Sequence, residues 1–567
     1  MSLNKIGFIQ QANVFFAEVS KNTKILFQRI LSLFLKILHK QNTMITPDLS
    51  KKKIIKAIDS HLTEPPNEIW KEIFQLTISR ETLEEKIKQL YALNQVSKKW
   101  KSIAEPLLKE TFLKTNPREI FCLFKTSKDS HNVLKHKPGE TKHIFNYLDF
   151  CKRHEIDGIC MKQYITKPYM KEIKSKYEQF FLNAKYLNLL EANNSFESLS
   201  EFLFLFKNVH TLILPKRSTI LDLKKLCGRL PELQGLYLHH SYIQINQLVP
   251  LQKTFPKLNF VSIEGLFSTK VSPFSPDQTF EKMKGVSLPS KTFEDGTLKS
   301  LFTAYPKLRS LNIKLSRFNL QEFESITPSL NELTYLDVGG TRLQDRHMIS
   351  ISQNCSNLRI LKASLLNQLT DIAYQNMAMH LHQLEILRID GCKKITGILG
   401  NQIFKKLKAM NASHTKFCDQ SLPSILKNGL IQKLRISHTQ VNNITDTIHA
   451  PSLEALVLES TNVNDASLVR LVSSFSKLKV LKLNRTAITS QSFLFILQEL
   501  KELVHLEVEN VNLNTAEILQ HANTYPNILV FNMTGTSLPE THAKVLFPRV
   551  VKLITKKKPA YPFTFYP

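Results

Sequence analysis

The chain has 567 residues, is 42% hydrophobic and 22% charged, and carries a formal net charge of +28 at neutral pH. That length is too great for one compact core, and the apolar content excludes a disordered chain, so several domains or a repeat array are required. The seven cysteines have no framework spacing and no C-x-x-C pair, which argues against a disulfide-stapled secreted domain or a structural metal and for a reducing compartment. The basic residues spread over the whole length. Their charge fits either a solvated lysine-rich surface or an acidic partner, without the one-faced clustering a nucleic-acid patch needs.

Residues 1–50 contain an apolar run, Ile25 to Leu38, interrupted by Arg29, Ser32 and Lys36. It is too short and too charged to span a bilayer, and lacks the cleavage site of a secretory signal. Lys21, Gln28, Ser32 and Lys36 fall on one helical stripe, and Leu26, Phe27, Ile30, Leu31 and Phe34 cover most of the rest. Such an amphipathic helix packs on its own domain, on a partner or on a membrane surface.

Residues 62–108 form a second module. Pro66 can start a helix. Ile69, Ile73 and Leu76 recur at i, i+4 and i+7, Leu90, Leu93 and Val96 continue the helical period, and Trp100 comes next. A helical unit this small leaves part of its apolar face uncovered, which is the signature of a docking element. The string resembles an F-box: Pro66, Glu68, Ile69, Ile73 and Phe74 match its first part, and Val96, Ser97, Trp100, Ile103 and Ala104 its last. The resemblance implies a small all-α module docking on a Skp-type adaptor of a cullin complex. The adaptor would be held by Pro66, Ile69, Ile73, Phe74, Leu76, Val96 and Trp100. A plain helical cap for the C-terminal part of the chain is the alternative. Residues 109–183 read as a linker or a degenerate repeat, since IDGICM at 156–161 has the spacing of the repeats downstream.

From 184 to 546 apolar residues recur in the order L-x-x-L-x-L, centred on Leu187, Leu212, Leu236, Val261, Val286, Leu311, Leu336, Leu361, Leu387, Met410, Leu434, Leu456, Leu481, Leu506 and Phe531. By subtraction the centres lie 22 to 26 residues apart. Only a solenoid has a reason to keep that period. Each segment reads as a short strand with one buried face, and each is succeeded by a helical stretch. Stacked, these units give an α/β horseshoe with strands on the concave side. Thr341, Cys392, Thr415, Thr439, Thr461, Thr486 and Thr536 come just after the strands, where a small polar side chain can satisfy backbone groups at the turn. The pattern resembles cysteine-containing leucine-rich repeats, most clearly in LEILRIDGCKKIT at 384–396; residues 264–282, with Pro273 and Pro276, break it.

The residue after each centre is expected to face outward. Lys362, Arg388, Arg435 and Lys482 then form a basic band for a protein substrate with an acidic segment, with Lys433 one column over and Glu459, Glu507 and Glu509 as an acidic end. Residues 547–567 are read as a tail. No phosphate-loop, zinc-protease or nucleophile-elbow motif occurs, so no catalytic group, metal or cofactor is expected. An F-box ahead of such repeats implies the substrate-recognition subunit of a ubiquitin ligase; an interaction scaffold without ubiquitin machinery is the alternative. Cytoplasmic residence fits both. The Lys-, Ile- and Asn-rich usage also suits a bacterial effector acting in host cytosol.

The docking reading has a direct test. Ile69→Asp/Ile73→Asp would place charge on a desolvated helix face and abolish co-purification of the adaptor with the chain. An unsubstituted chain that never binds the adaptor ends the reading.

Overall fold

The computed structural model describes residues 148–149, 151–152, 158–160, 167–190, 203, 205–248, 254–265, 270–275, 279–427, 429–443, 450–472, 475–520, 524–525, 527–550 and 552–555. The expected amphipathic helix in 1–50 and the F-box-like module at 62–108 lie outside these residues. The chain divides into two compact units, one of residues 1–160 with 172–186, the other of residues 161–171 with 187–567.

In the first unit lie a strand at Gly158–Cys160 and, from residue 172 on, most of a helix, Lys167–Leu182. Ile173, Tyr177 and Phe181, spaced four apart, are its buried stripe. Tyr177 Oη donates to Asp149 Oδ1 at 2.7 Å, and Lys176 Nζ approaches Asp149 Oδ2 at 3.1 Å. Burial, followed by the bond to Asp149, raises the Tyr177 pKa well above the usual phenol range.

The second unit is built on one parallel sheet. Every repeat centre from Leu212 to Phe531 pairs in register with the next, as Leu336 does with Leu361 and Leu361 with Leu387. The centres are all buried, most of them completely. Each contributes roughly 1.5–3 kcal/mol by leaving water, and only because a neighbour covers it. The sheet runs one strand past the expected end of the array: Lys552–Ile554 pairs with Val530–Asn532, so the segment read as a tail starts with a strand. The irregular stretch adds a side sheet in which Lys270–Val271 pairs with Thr292–Phe293. There Phe274 packs edge-on against Tyr305, with 5.6 Å between ring centroids.

The turn after each strand has a fixed geometry. In thirteen successive described repeats, from His240 to Gly535, the fourth residue after the centre has positive φ, between 50° and 103°. In eleven of them its N–H donates to a carbonyl of the next repeat, as Leu315 does to Gly339, Gly340 to Ser364 and Leu365 to Asp390, each at 2.7 Å. The expected threonines come next. Thr341, Thr415, Thr439, Thr461 and Thr486 each donate Oγ1 at 2.7 Å to the carbonyl three residues back, closing the turn.

Helices complete the repeats, and carboxylates bind one to the next. Asp345, opening the helix Asp345–Asn354, accepts Thr370 N–H at 2.8 Å; Thr370 caps the next helix, Asp371–His380, whose own Asp371 accepts Thr396 N–H at 2.9 Å. Asp465 repeats the device with Thr489, at 2.8 Å. One fully described repeat departs from this plan. Between the strands Ile386–Arg388 and Ala409–Asn411 the chain forms turns and no helix. Aromatic rings fill the layer: Tyr374, fully buried, stands 5.5 Å from Phe404 and 5.8 Å from Phe417. Gly397 has φ +83°, and a Cβ there would lie 2.7 Å from the Phe417 ring. Centres in parallel register with strand-to-helix units of about 25 residues define a leucine-rich-repeat solenoid.

Two substitutions probe these devices. Thr461→Val keeps the shape and leaves the Leu458 carbonyl without its partner, a loss of about 1 kcal/mol in urea unfolding. Gly397→Ala combines a left-handed backbone with a clash and is expected to cost about 2–4 kcal/mol.

Candidate functional site

The exposed face of the sheet is the surface the repeats repeat. A three-residue strand with a buried centre turns both flanking side chains outward. The burial of Ile360–Lys362 and Ile386–Arg388, half-exposed on each side of a buried leucine, obeys that rule. The face therefore has two columns. The one after the centre carries the expected band; the one before it adds Tyr335, Lys433 and His505. Tyr335 and His505 escape a reading of one column only, although the alternation that marks the first column marks the second.

The four expected cations do not form one uniform band. Lys362 and Arg388 are side by side in register. Lys362 Nζ lies 5.2 Å from the Tyr335 ring centroid, within cation–π range. Arg388 Nε is 3.5 Å from Asp390 Oδ1, which also accepts Ser364 Oγ at 2.8 Å and Asn411 Nδ2 at 3.1 Å. Asn411 separates Arg388 from Arg435, and Val457, buried, separates Arg435 from Lys482. Arg435 and Lys433 flank Leu434 and are both exposed; among the described residues neither has an ion pair. Lys482 is spent within the protein: its Nζ sits 2.8 Å from Glu507 Oε1, on the adjacent strand.

The expected acidic end is engaged within the protein too, Glu507 and Glu509 by cations and Glu459 by an amide. Glu507 takes Lys482, His505 Nε2 at 2.7 Å and Asn484 Nδ2 at 2.9 Å. Burial would raise its pKa, but these hydrogen bonds and the Lys482 charge outweigh that and hold the carboxyl well below the usual range. Glu509 pairs with Arg485 at 3.2 Å, and Glu459 accepts from Asn484 at 3.1 Å. One acid stands inside the basic half. Asp337, beside Lys362 in register, is buried with its pKa raised, desolvation prevailing over the Gly339 N–H and the cations around it. The cations left to a partner are Lys362, half-engaged Arg388, Lys433 and Arg435.

The left-handed turn column borders this face. Glycine or asparagine suits it best, yet Leu315 and Leu365 occupy it with φ 59° and 60°, a conformation costing an ordinary residue about 1–2 kcal/mol. Both are half exposed, at 49% and 47%. Farther along the column His414 and His438 stack with centroids 4.2 Å apart. Burial, then the neighbouring His414, lowers the His438 pKa.

Among the described residues, no three His, Cys, Asp or Glu side chains are grouped so as to hold a metal ion, and no helix is long and apolar enough to cross a membrane. No family model matches the chain, and neither does any curated protein. Three solved structures are similar to it. An internalin (inlF) of Listeria monocytogenes is 17% identical, with 59% of this chain and 88% of that one covered and a TM-score of 0.36. A leucine-rich-repeat protein of Leptospira interrogans is 17% identical, with 69% and 99% covered and a TM-score of 0.42. The protein of the TLR13–ssRNA13 complex is 15% identical, with 70% and 69% covered and a TM-score of 0.42. At such values the fold assignment rests on this chain's own register.

The Glu507 cluster sets a pH dependence. The folded state favours the ionised carboxyl, so its stabilisation is complete above the ordinary Glu value of 4.5 and is lost as pH falls below it. Glu507→Gln is therefore expected to narrow the gap in urea midpoint between pH 7 and pH 3. An unchanged gap would mean the cluster does not stabilise the fold.

Proposed function

We propose that this protein is a non-catalytic binding protein whose sheet face captures an acidic segment of a protein partner. The observation that carries this is the residual charge of the face. Lys482 and the acidic residues beyond it compensate each other, while Lys362, Lys433 and Arg435 keep charges that no carboxylate of the described face answers with an ion pair. Cations held on a rigid sheet attract an acidic segment at long range and can pair with it without first being ordered. The residues after the strand centres change from repeat to repeat while the centres stay apolar, which is how a stack presents a specific surface on a generic core.

The finer reading is a substrate receptor for a Skp–cullin ubiquitin ligase. Its support is the F-box-like string at 62–108, ahead of a solenoid, with Ile69, Ile73, Phe74 and Trp100 as docking residues and the sheet face as the substrate site. The scaffold without ubiquitin machinery shares the sheet face and lacks the adaptor.

The capture reading is tested by Lys362→Glu/Arg435→Glu. Both side chains sit on the outer face, so the fold should be retained, with the unfolding midpoint lowered because a glutamate at 362 loses the Tyr335 contact and faces buried Asp337. Binding of an acidic peptide partner should weaken at least about tenfold at low salt, with the difference shrinking as salt is raised. Equal affinity at low salt would reduce these cations to ordinary solvated surface.

A further inference from the structure

The left-handed leucines at the edge of the sheet face point to the partner's form. Leu315 and Leu365 occupy a backbone conformation that four glycines adopt without strain elsewhere in the same column, and they do so half exposed. Core packing does not explain two large apolar side chains in water on strained backbone. Each lies over the next glycine of the column: a Cβ on Gly340 would fall 2.4 Å from Leu315 Cδ2, and one on Gly391 2.6 Å from Leu365 Cδ2. Leucine and glycine thus alternate over four repeats as a continuous apolar ridge. Three residues before Leu365 in the chain is Lys362, and Arg388 adjoins Lys362 in register, so cations stand beside the Leu365–Gly391 half of the ridge, with Asn312 and Asp337 beside the other half.

We propose that this ridge and its cations seat an amphipathic helix of the partner, laid along the stack, with an aliphatic stripe on Leu315 and Leu365 and carboxylates toward Lys362 and Arg388. The inference deepens the capture reading and rests on it. Spacing selects a helix over an extended segment. Neighbouring strands are about 4.8 Å apart, so the two leucines, two repeats apart, are separated by roughly 10 Å. A helix returns a side chain to the same face at i+7 after about 10.5 Å, with i+3 and i+4 above the intervening glycine. An extended chain repeats a face every 6.6–6.8 Å or so and falls out of step with the repeats. Helix-in-groove docking uses this i, i+4, i+7 pattern of anchors. Charge complementarity sets the flank: Lys362 and Arg388 call for Glu or Asp beside the stripe.

The experiment is selection of a random 16-residue peptide library on the full-length protein, then fluorescence anisotropy and circular dichroism on the synthetic winners. The expected winners carry aliphatic residues at i, i+3 or i+4 and i+7 with acidic neighbours, and gain helicity on binding. Leu315→Gly/Leu365→Gly, which relieves the left-handed strain and should leave the urea midpoint level or higher, should weaken them at least tenfold. Winners that bind this variant as tightly as the unsubstituted chain, yet lose affinity for Lys362→Glu/Arg435→Glu, would overturn the ridge and leave the capture reading standing. Winners indifferent to both pairs of substitutions, or no winners, would overturn both. Extended acidic winners, or a single-stranded oligonucleotide held in place of peptide and weakened by the leucine substitutions, would replace the helix with another occupant.

Discussion

The backbone bond between one turn and the next is the constraint on which the rest of this structure depends. In repeat after repeat the residue four past the strand centre sends its N–H to a carbonyl of the next repeat, as Leu365 does to Asp390. To reach it the residue must turn left-handed. The bond then fixes how far each repeat advances, because carbonyl and amide belong to units about 25 residues apart. The parallel register of the strands, the threonine bonds that close the turn, and the position of the next helix all derive from that step. Side chains on the column have little say in its backbone, which is why leucine, histidine, serine and arginine occur beside glycine. A residue placed there is chosen for what it shows to solvent.

The helix layer is joined differently. Asp345, Asp371 and Asp465 each accept from a threonine at the equivalent place of the neighbouring repeat, so that, for Asp345 and Asp465, the start of one helix depends on the helix before it. Burial, which raises the pKa of Asp465, is outweighed by hydrogen bonds from Ser492 and Thr489 that lower it overall. These contacts couple adjacent repeats and no others, so stability is a sum of neighbour terms. The Lys482–Glu507 pair is the same logic on the sheet face, with opposite charges at equivalent positions of consecutive strands.

Much of this is legible in the sequence. The leucine centres stand out because two periods coincide on them, the two-residue alternation of a strand and the roughly 25-residue advance of a repeat. Thr341 and its equivalents can be assigned to turns because a small side chain with a polar atom recurs there, Thr in most repeats and Cys at 392. The charge pattern is harder. Lys482 looks available along the chain, whereas Glu507 meets it across the sheet; only aligning the repeats brings the pair together. The left-handed column is hidden by its own variety, since only four of its thirteen residues are glycine. The repeat between Leu387 and Met410 does leave a trace, a spacing shortened to 23 with Gly391, Gly397 and Gly400 inside it. The docking helices at 62–108 are read from a string of residue types, with nothing in the described structure to set beside it.

That shortened repeat has a mechanical side. The strands pass through it unbroken, so the sheet transmits load across it. The helices do not: between His380 and Ser421 the chain forms turns, with the rings of Phe404 and Phe417 packed on Tyr374 of the preceding helix. A stack stiff on one face and interrupted on the other flexes where the interruption lies, since bending there rearranges ring contacts and breaks no helix-to-helix cap. Arg388 and Arg435 lie on the stiff face to either side of this joint, so a ligand touching both would feel the spacing between them adjust, while Lys362 and Arg388, in adjacent strands on the same side, would hold theirs.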